Sequence, residues 1–293
     1  MSANGISTLA TKEARQRAKL DLAATDRAAA GNPRDTYDIT ELPTRYSGND
    51  VVDNPNSEGL LLGRPWATDG VTLPVGMWLD PAYAVSGTTI PDQSSNDNDA
   101  ILVGATHNAA NGYFELDGTD NYIRSPNLYS NIGNPDTFSA GAWVYPTAGG
   151  VVLSVTNSAT PEVAYHYSAL EFVESAGNPV PHFGIWNGTV ITSDTGTALS
   201  YDTWYHMVIT YNGTTLKGYI NGAEVASANV AYDSPHDDGF TVHHLLWGAA
   251  DATNMGDGTY FNGRMGEIRT YNDAITEAQV LANYNATKSR YGY

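Results

Sequence analysis

The stretch Trp204 to Val225, WYHMVITYNGTTLKGYINGAEV, sets the terms for most of this chain. Tyr205, Met207, Ile209 and Tyr211 alternate with Trp204, His206, Val208 and Thr210. Period-two alternation of large residues puts one set on each face of a β-strand. Asn212-Gly213 follows at once, and both residue types tolerate the positive φ of a tight hairpin turn. Leu216 to Ile220 predicts a second strand and Asn221-Gly222 a second turn, so the stretch reads as an antiparallel meander. Taken alone it suits any hairpin, and the rest of the chain must decide the architecture.

The decision comes from repetition. Met77 to Leu79, Ala100 to Val103, Gly112 to Gly118, Tyr122-Ile123 and Phe138 to Tyr145 read as strands. So do Val151 to Val155, Ala169 to Val173, His182 to Trp186, Val190 to Ser193, Thr241 to Trp247 and Gly263 to Tyr271. Many short strands without long helices predict two packed antiparallel sheets. The 29 Gly and 19 Tyr fit a turn-rich sheet protein. After the last strand, Thr276 and Gln279 are spaced as a capping box, with Ile275 and Val280 placed for a hydrophobic staple. A helix of about two turns through Tyr284 is expected there.

Residues 1–34 form a different segment. Thr11 to Ala24 is rich in helix formers, and Gly31-Asn32-Pro33 stops the helix. Its apolar face is thin (Ala14, Ala18, Leu22), so it needs a partner to dock on. Residues 35–71 read as an extended arm, broken by Pro43, Pro55 and Pro65. Residues 72–293 make up the sandwich domain. Arg15, Leu22, Tyr37, Tyr46 and Trp66 are the expected anchoring residues of the N-terminal part.

Charge and composition exclude several classes. Residues 1–65 hold eight basic and nine acidic side chains, while the remainder holds six and 23. So acidic a body repels nucleic acid and anionic membrane. The basic excess of residues 1–34 is read as a solvated helix rather than a nucleic-acid arm. No Cys is present, so thiolate metal sites and disulfides are excluded. No apolar run reaches membrane-spanning length, and the start lacks the apolar core of a secretory signal.

Asp92, Asn96, Asp97, Asn98 and Asp99 gather oxygen ligands in one loop, and calcium takes six to eight oxygens. Asp97 and Asp99, with Asp117 and Asp120 as distant donors, are the calcium candidates and the sole cofactor expectation. The competing reading is a plain turn, since Asn and Asp are turn formers and no EF-hand spacing is present. His243-His244 with His236, Asp237 and Asp238 is a poorer metal group, because adjacent strand residues face opposite ways. His206 is expected to be packed. No nucleophile triad, phosphate loop or dinucleotide fingerprint occurs.

Several pieces together carry a family resemblance: MWLD from Met77, the DQSSNDND loop, FELDGTDNYI from Phe114 and FSAGAWVYP from Phe138. WYHMVITYNG, GYINGAEV and FNGRMGEIRTYNDAITEAQVLANY complete the set in order. Residues 72–293 resemble the laminin-G-like, concanavalin-A-like jelly-roll domains. The resemblance implies an all-β jelly-roll sandwich whose concave face often binds glycans, with calcium in some members. Trp186, Tyr165, Tyr167 and Tyr260 are the expected sugar-stacking residues. Glu115-Leu-Asp117-Gly-Thr-Asp120 nearly matches the Glu-x-Asp-x-x-Glu strand of glycosidases of similar fold. Its last position is one methylene short, however, and Gly118-Thr119 reads as a turn.

Residues 1–66 resemble leaders of structural proteins in marine tailed phages, notably cyanophages. That resemblance implies a non-enzymatic virion protein (a capsid decoration, neck or tail appendage) assembled in the host cytoplasm. Other virion proteins would be its partners, and a homo-oligomer, most simply a trimer, its assembly. The alternative is a carbohydrate-binding adhesin for host-surface glycans. A more remote one is a glycoside hydrolase using Glu115 and Asp120.

Overall fold

The computed structural model describes residues 75–83, 85–94, 96–128, 137–156, 166–186, 190–194, 196–230, 244–249 and 260–293. The anchoring candidates Arg15, Leu22, Tyr37, Tyr46 and Trp66 lie outside these, as do Tyr165, His236, Asp237, Asp238 and His243. Among the described residues, no helix is long and apolar enough to cross a membrane.

Strands are numbered in chain order. One sheet runs β14 (Ala223–Asn229), β13 (Thr215–Ile220), β12 (Tyr205–Tyr211), β7 (Phe138–Pro146), β16 (Asn262–Tyr271), β5 (Tyr113–Asp117) and β4 (Thr106–Asn108). β1 (Val75–Leu79) also pairs with β16. The other sheet runs β11 (Val190–Asp194), β10 (Asn178–Trp186), β9 (His166–Ser175), β8 (Gly150–Thr156), β15 (His244–Trp247), β6 (Tyr122–Arg124), β3 (Ala100–Val103) and β2 (Thr89–Ile90). The ladders between these strands are antiparallel. The expected sandwich is therefore present.

One core fills the space between the sheets. Phe114, Leu116, Val144, Met207, Ile209, Tyr211, Leu216 and Met265 come from the first sheet. Ile123, Leu153, Phe172, Phe183, Ile185 and Trp247 come from the second. Gly218 sits where the Phe183 ring presses on the backbone, so any Cβ there would collide with it.

The hairpin turns differ in detail. Asn221 and Gly222 both have positive φ, 53° and 82°, as a two-residue type I′ turn requires. The first turn, expected to be the pair Asn212-Gly213, is a three-residue loop, 212–214. Asn212 explains the extra residue: its Oδ1 accepts from the backbone N–H of Thr214 (3.1 Å) and of Thr215 (2.8 Å).

Every residue of β12 is buried, not only one alternating set. The second set is covered from outside the sandwich. Val208 packs with Tyr219, Tyr271, Ile275 and Val280 in a separate cluster. The cover is α1 (Glu277–Thr287), followed by a 3-10 turn at Lys288–Tyr291. The capping box at Thr276 and Gln279 is formed as the spacing predicts. The helix runs past the expected end at Tyr284, because no breaker intervenes before Gly292, whose φ is 90°.

Candidate functional site

The outer face of the first sheet holds a lateral row of four side chains. Arg264 on β16 lies opposite Glu115 of β5 on one side and Tyr145 of β7 on the other. Tyr205 of β12 pairs with Val144, so Trp204, one residue earlier, comes level with Tyr145. The inward neighbours Phe114, Leu116, Val144, Tyr205 and Met265 belong to the core, which turns Glu115, Arg264, Tyr145 and Trp204 outward. Tyr113 stands two residues before Glu115, on the same face.

The row packs as a platform of tilted rings, with Trp204 at 58° to Tyr145 and 49° to Tyr113, and Tyr291 of the 3-10 turn 4.8 Å from the Trp204 ring. The Trp204 ring lies 5.5 Å from Tyr145 and 6.4 Å from Tyr113, centroid to centroid. The Arg264 guanidinium carbon sits 4.8 Å from the Tyr113 ring centre and 5.0 Å from that of Tyr145. Both distances are within cation–π range. Arg264 Nε is 3.5 Å from Glu115 Oε1, with side-chain exposures of 36% and 51%. The Tyr113 hydroxyl accepts from Asn108 Nδ2 at 3.0 Å. Tyr113, Tyr145 and Trp204 are all half-buried. Among the described residues the Trp204 indole N–H makes no hydrogen bond.

Further along the same face, the helix and the 3-10 turn close over the sheet. Trp143 is stacked on Tyr291 at 4.3 Å and donates to Thr287 Oγ1 at 2.8 Å. Arg290 makes a two-pronged bond to Asp80, at 2.8 and 3.0 Å, and reaches Glu267 at 3.0 Å. Arg269 Nε bonds the other Glu267 oxygen at 2.6 Å. Burial acts to lower the Arg290 pKa, but the Asp80 and Glu267 carboxylates hold it above its ordinary value. Burial, helped by the Arg269 charge, lowers the His206 pKa to about 3. Among the described residues His206 Nδ1 has no hydrogen-bond partner, and it borders a cavity of ≈ 10 Å³ between the sheet and the helix. The space suits one water rather than a ligand.

The sequence-derived candidates fall elsewhere. Asp92 is buried and accepts from Trp78 N, Ser94 N, Ser94 Oγ and Asn98 N at 2.6 to 2.9 Å. Burial raises its pKa against the pull of those bonds. The carboxylate at the centre of the DQSSNDND loop thus organises backbone. Asp99 accepts from Asp92 N at 2.8 Å, and Asp97 is exposed with φ 56°. Asp117 accepts from Thr119 N at 2.8 Å in the turn after β5, and Asp120 is exposed beyond it. Among the described residues, no three His, Asp or Glu side chains converge as a metal site. β5 ends at Asp117 and Gly118 has φ 75°, so Glu115 and Asp120 do not share a strand face.

Of the stacking candidates, Tyr260 is half-buried and packs against Tyr122, Leu246 and Ala249 on the other sheet. Tyr167 and Trp186 lie on β9 and β10, and only their backbone is described. The platform residues Tyr113, Tyr145 and Arg264 were missed. Alternation along β7 and β16 would have turned them outward, but no local signal says which outward residues meet across strands.

Two eight-stranded antiparallel sheets, with an aromatic and ionic row on one outer face, define an all-β jelly-roll sandwich of the concanavalin A type. Residues 117–281, more than half of the chain, match the model of the Concanavalin A-like lectin/glucanases superfamily, and the chain belongs to that family. Among solved structures, domain 4 of AbnA matches at 16% identity and a TM-score of 0.50. AbnA is an extracellular GH43 arabinanase from Geobacillus stearothermophilus, and the domain is in complex with arabinotriose. The match covers 72% of this chain and 98% of that one. Trypanosoma rangeli sialidase in complex with sialic acid matches at 14% and 0.54, over 74% of this chain and 33% of the sialidase. The binding domain of botulinum neurotoxin DC in complex with SialylT matches at 13% and 0.51, over 72% and 51%. The chain thus spans about a third of the sialidase and half of the toxin fragment. No curated protein sequence matches.

These matches correct one expectation. The protein was expected to be non-enzymatic, yet the same sandwich stands within chains named as an arabinanase and a sialidase. This fold is one that enzymes carry, and lack of activity does not follow from it. These matches do not show the tailed-phage resemblance of residues 1–66.

Proposed function

We propose that the jelly-roll domain binds carbohydrate, with a saccharide lying across Tyr113, Tyr145 and Trp204. The observation that carries this reading is the row Glu115–Arg264–Tyr145–Trp204, half-buried to exposed among the described residues, beside the part of the sheet face that α1 and the 3-10 turn cover. Flat half-buried rings stack on the apolar face of a sugar, while Arg264, Glu115 and the Trp204 N–H suit its hydroxyls. Support comes from the family and from the arabinotriose and sialic acid complexes of two proteins of like fold. An adhesin for host-surface glycans would use this same surface. The virion role and homo-oligomeric assembly rest on residues 1–66 alone, and the carbohydrate reading has the broader support.

The test is a glycan array with the full chain, followed by calorimetry on the hits. Trp204→Ala is expected to weaken binding about tenfold or more, the equivalent of about 1.4 kcal/mol, with the melting curve retained. Undiminished binding by a Trp204→Ala, Tyr145→Ala double variant would overturn the assignment of this surface.

A further inference from the structure

Resting on the carbohydrate reading, we infer that Arg264 makes this platform selective for saccharides bearing a single carboxylate, such as a uronic or other sugar acid. The guanidinium is fixed before any ligand arrives. Two tyrosine rings flank it at 4.8 and 5.0 Å, and Glu115 takes its Nε side at 3.5 Å. The two terminal nitrogens make no hydrogen bond among the described residues. They present a planar pair of donors, the geometry that a carboxylate accepts with both oxygens. Holding the side chain in place beforehand removes the entropy cost that a mobile arginine pays on binding.

Three further observations narrow the class. Arg264 is a rare available cation on this body: Arg269 and Arg290 are taken up in the buried carboxylate network, and Lys217 is bonded to Glu224 at 2.7 Å. Second, a neutral sugar seated on the platform strips water from those donors and offers only hydroxyls in return, which disfavours it relative to an acid. Third, residues 66–293 carry 23 acidic against six basic side chains. That field repels a ligand in proportion to its charge, but salt screens it beyond about 8 Å at physiological ionic strength, while the short Arg264 contact persists. One carboxylate gains the contact with little repulsion; a polyanion meets the whole field. Glu115 in the row and Asp117, two residues on along the same face of β5, act against a second charge.

The experiment uses the full chain on an array that places each neutral saccharide beside its counterpart with one carboxylate and beside a polyuronate. A preference of about tenfold for the single carboxylate is expected. Arg264→Gln should abolish the preference, bringing each acidic saccharide to the affinity of its neutral counterpart on the same variant, and Glu115→Gln should increase it. Equal binding of neutral and acidic partners, or a preference that survives Arg264→Gln, overturns the inference and leaves the carbohydrate reading standing. Tightest binding to the polyuronate overturns the single-charge selectivity. Absence of binding to every saccharide overturns both.

Discussion

Two stretches of one sheet face use the same residue types to different ends. At the covered end, Trp143, Glu267, Arg269 and Arg290 lie under α1 and the 3-10 turn; Trp143 is 1% exposed and Glu267 3%. At the open end, Trp204, Glu115 and Arg264 stand in the same strands or next to them. The Arg269–Glu267 pair is 2.6 Å apart with side chains 10% and 2% exposed. The Arg264–Glu115 pair is 3.5 Å apart at 36% and 51%. A buried carboxylate cannot be left alone, so Glu267 is clamped by two arginines. An exposed one is satisfied by water, so Glu115 depends little on its pair, while the Arg264 guanidinium stays held between the Tyr113 and Tyr145 rings. Access to solvent, more than residue identity, divides a structural network from a surface that a ligand could use.

The sharpest way to break this comparison is to remove a cation from each end. Arg290→Ala leaves Asp80 and Glu267 buried with their main partner gone. It should cost about 3–5 kcal/mol in urea unfolding. A loss below about 1 kcal/mol would show that the covered end is as tolerant as the open one.

The next effect is a pH dependence confined to the covered end. Unfolded His206 titrates near 6.5 and folded His206 near 3. Between those values the unfolded chain binds the extra proton, so stability falls as pH drops from about 6.5 and levels off below about 3. The slope is about 1.4 kcal/mol per pH unit. Asp92, with its raised pKa, works in the opposite direction just above 3.8. The measurement is therefore the difference between wild type and His206→Leu across pH 4 to 7, where only the wild type should show the His206 slope.

The smallest effect is expected at the open end. Arg264→Gln and Glu115→Gln should each change stability by less than about 1 kcal/mol. A larger loss would mean that the platform holds the fold together and is not free to serve a ligand.

Local signals in the sequence were enough for much of the fold. Alternation along β12, the Asn221-Gly222 turn and the Thr276–Gln279 box each depend on residues a few positions apart. The second burial of β12 was not legible, because its cover comes from Val280 and Ile275, far along the chain. The site was less legible still. Glu115, Tyr145, Trp204 and Arg264 come from four separate segments, and only strand order and register bring them into one row. The oxygen-rich loop at Asp92 allowed two readings, a cation site or a turn. Composition does not show that its central carboxylate, Asp92, accepts hydrogen bonds from the protein's own backbone, since that depends on the loop's conformation.

The placement of β16 has a consequence for how the chain acquires its shape during synthesis. This strand lies in the middle of its sheet, between β7 and β5, and also holds β1, with Val75 opposite Tyr271. Until Tyr271 has left the ribosome, β1 and β5 lack the neighbour that joins them to β7, and their apolar faces wait unsheltered. Such long-range closure is slow compared with hairpin formation. Premature termination ahead of β16 should therefore yield an aggregation-prone fragment, not a smaller working domain.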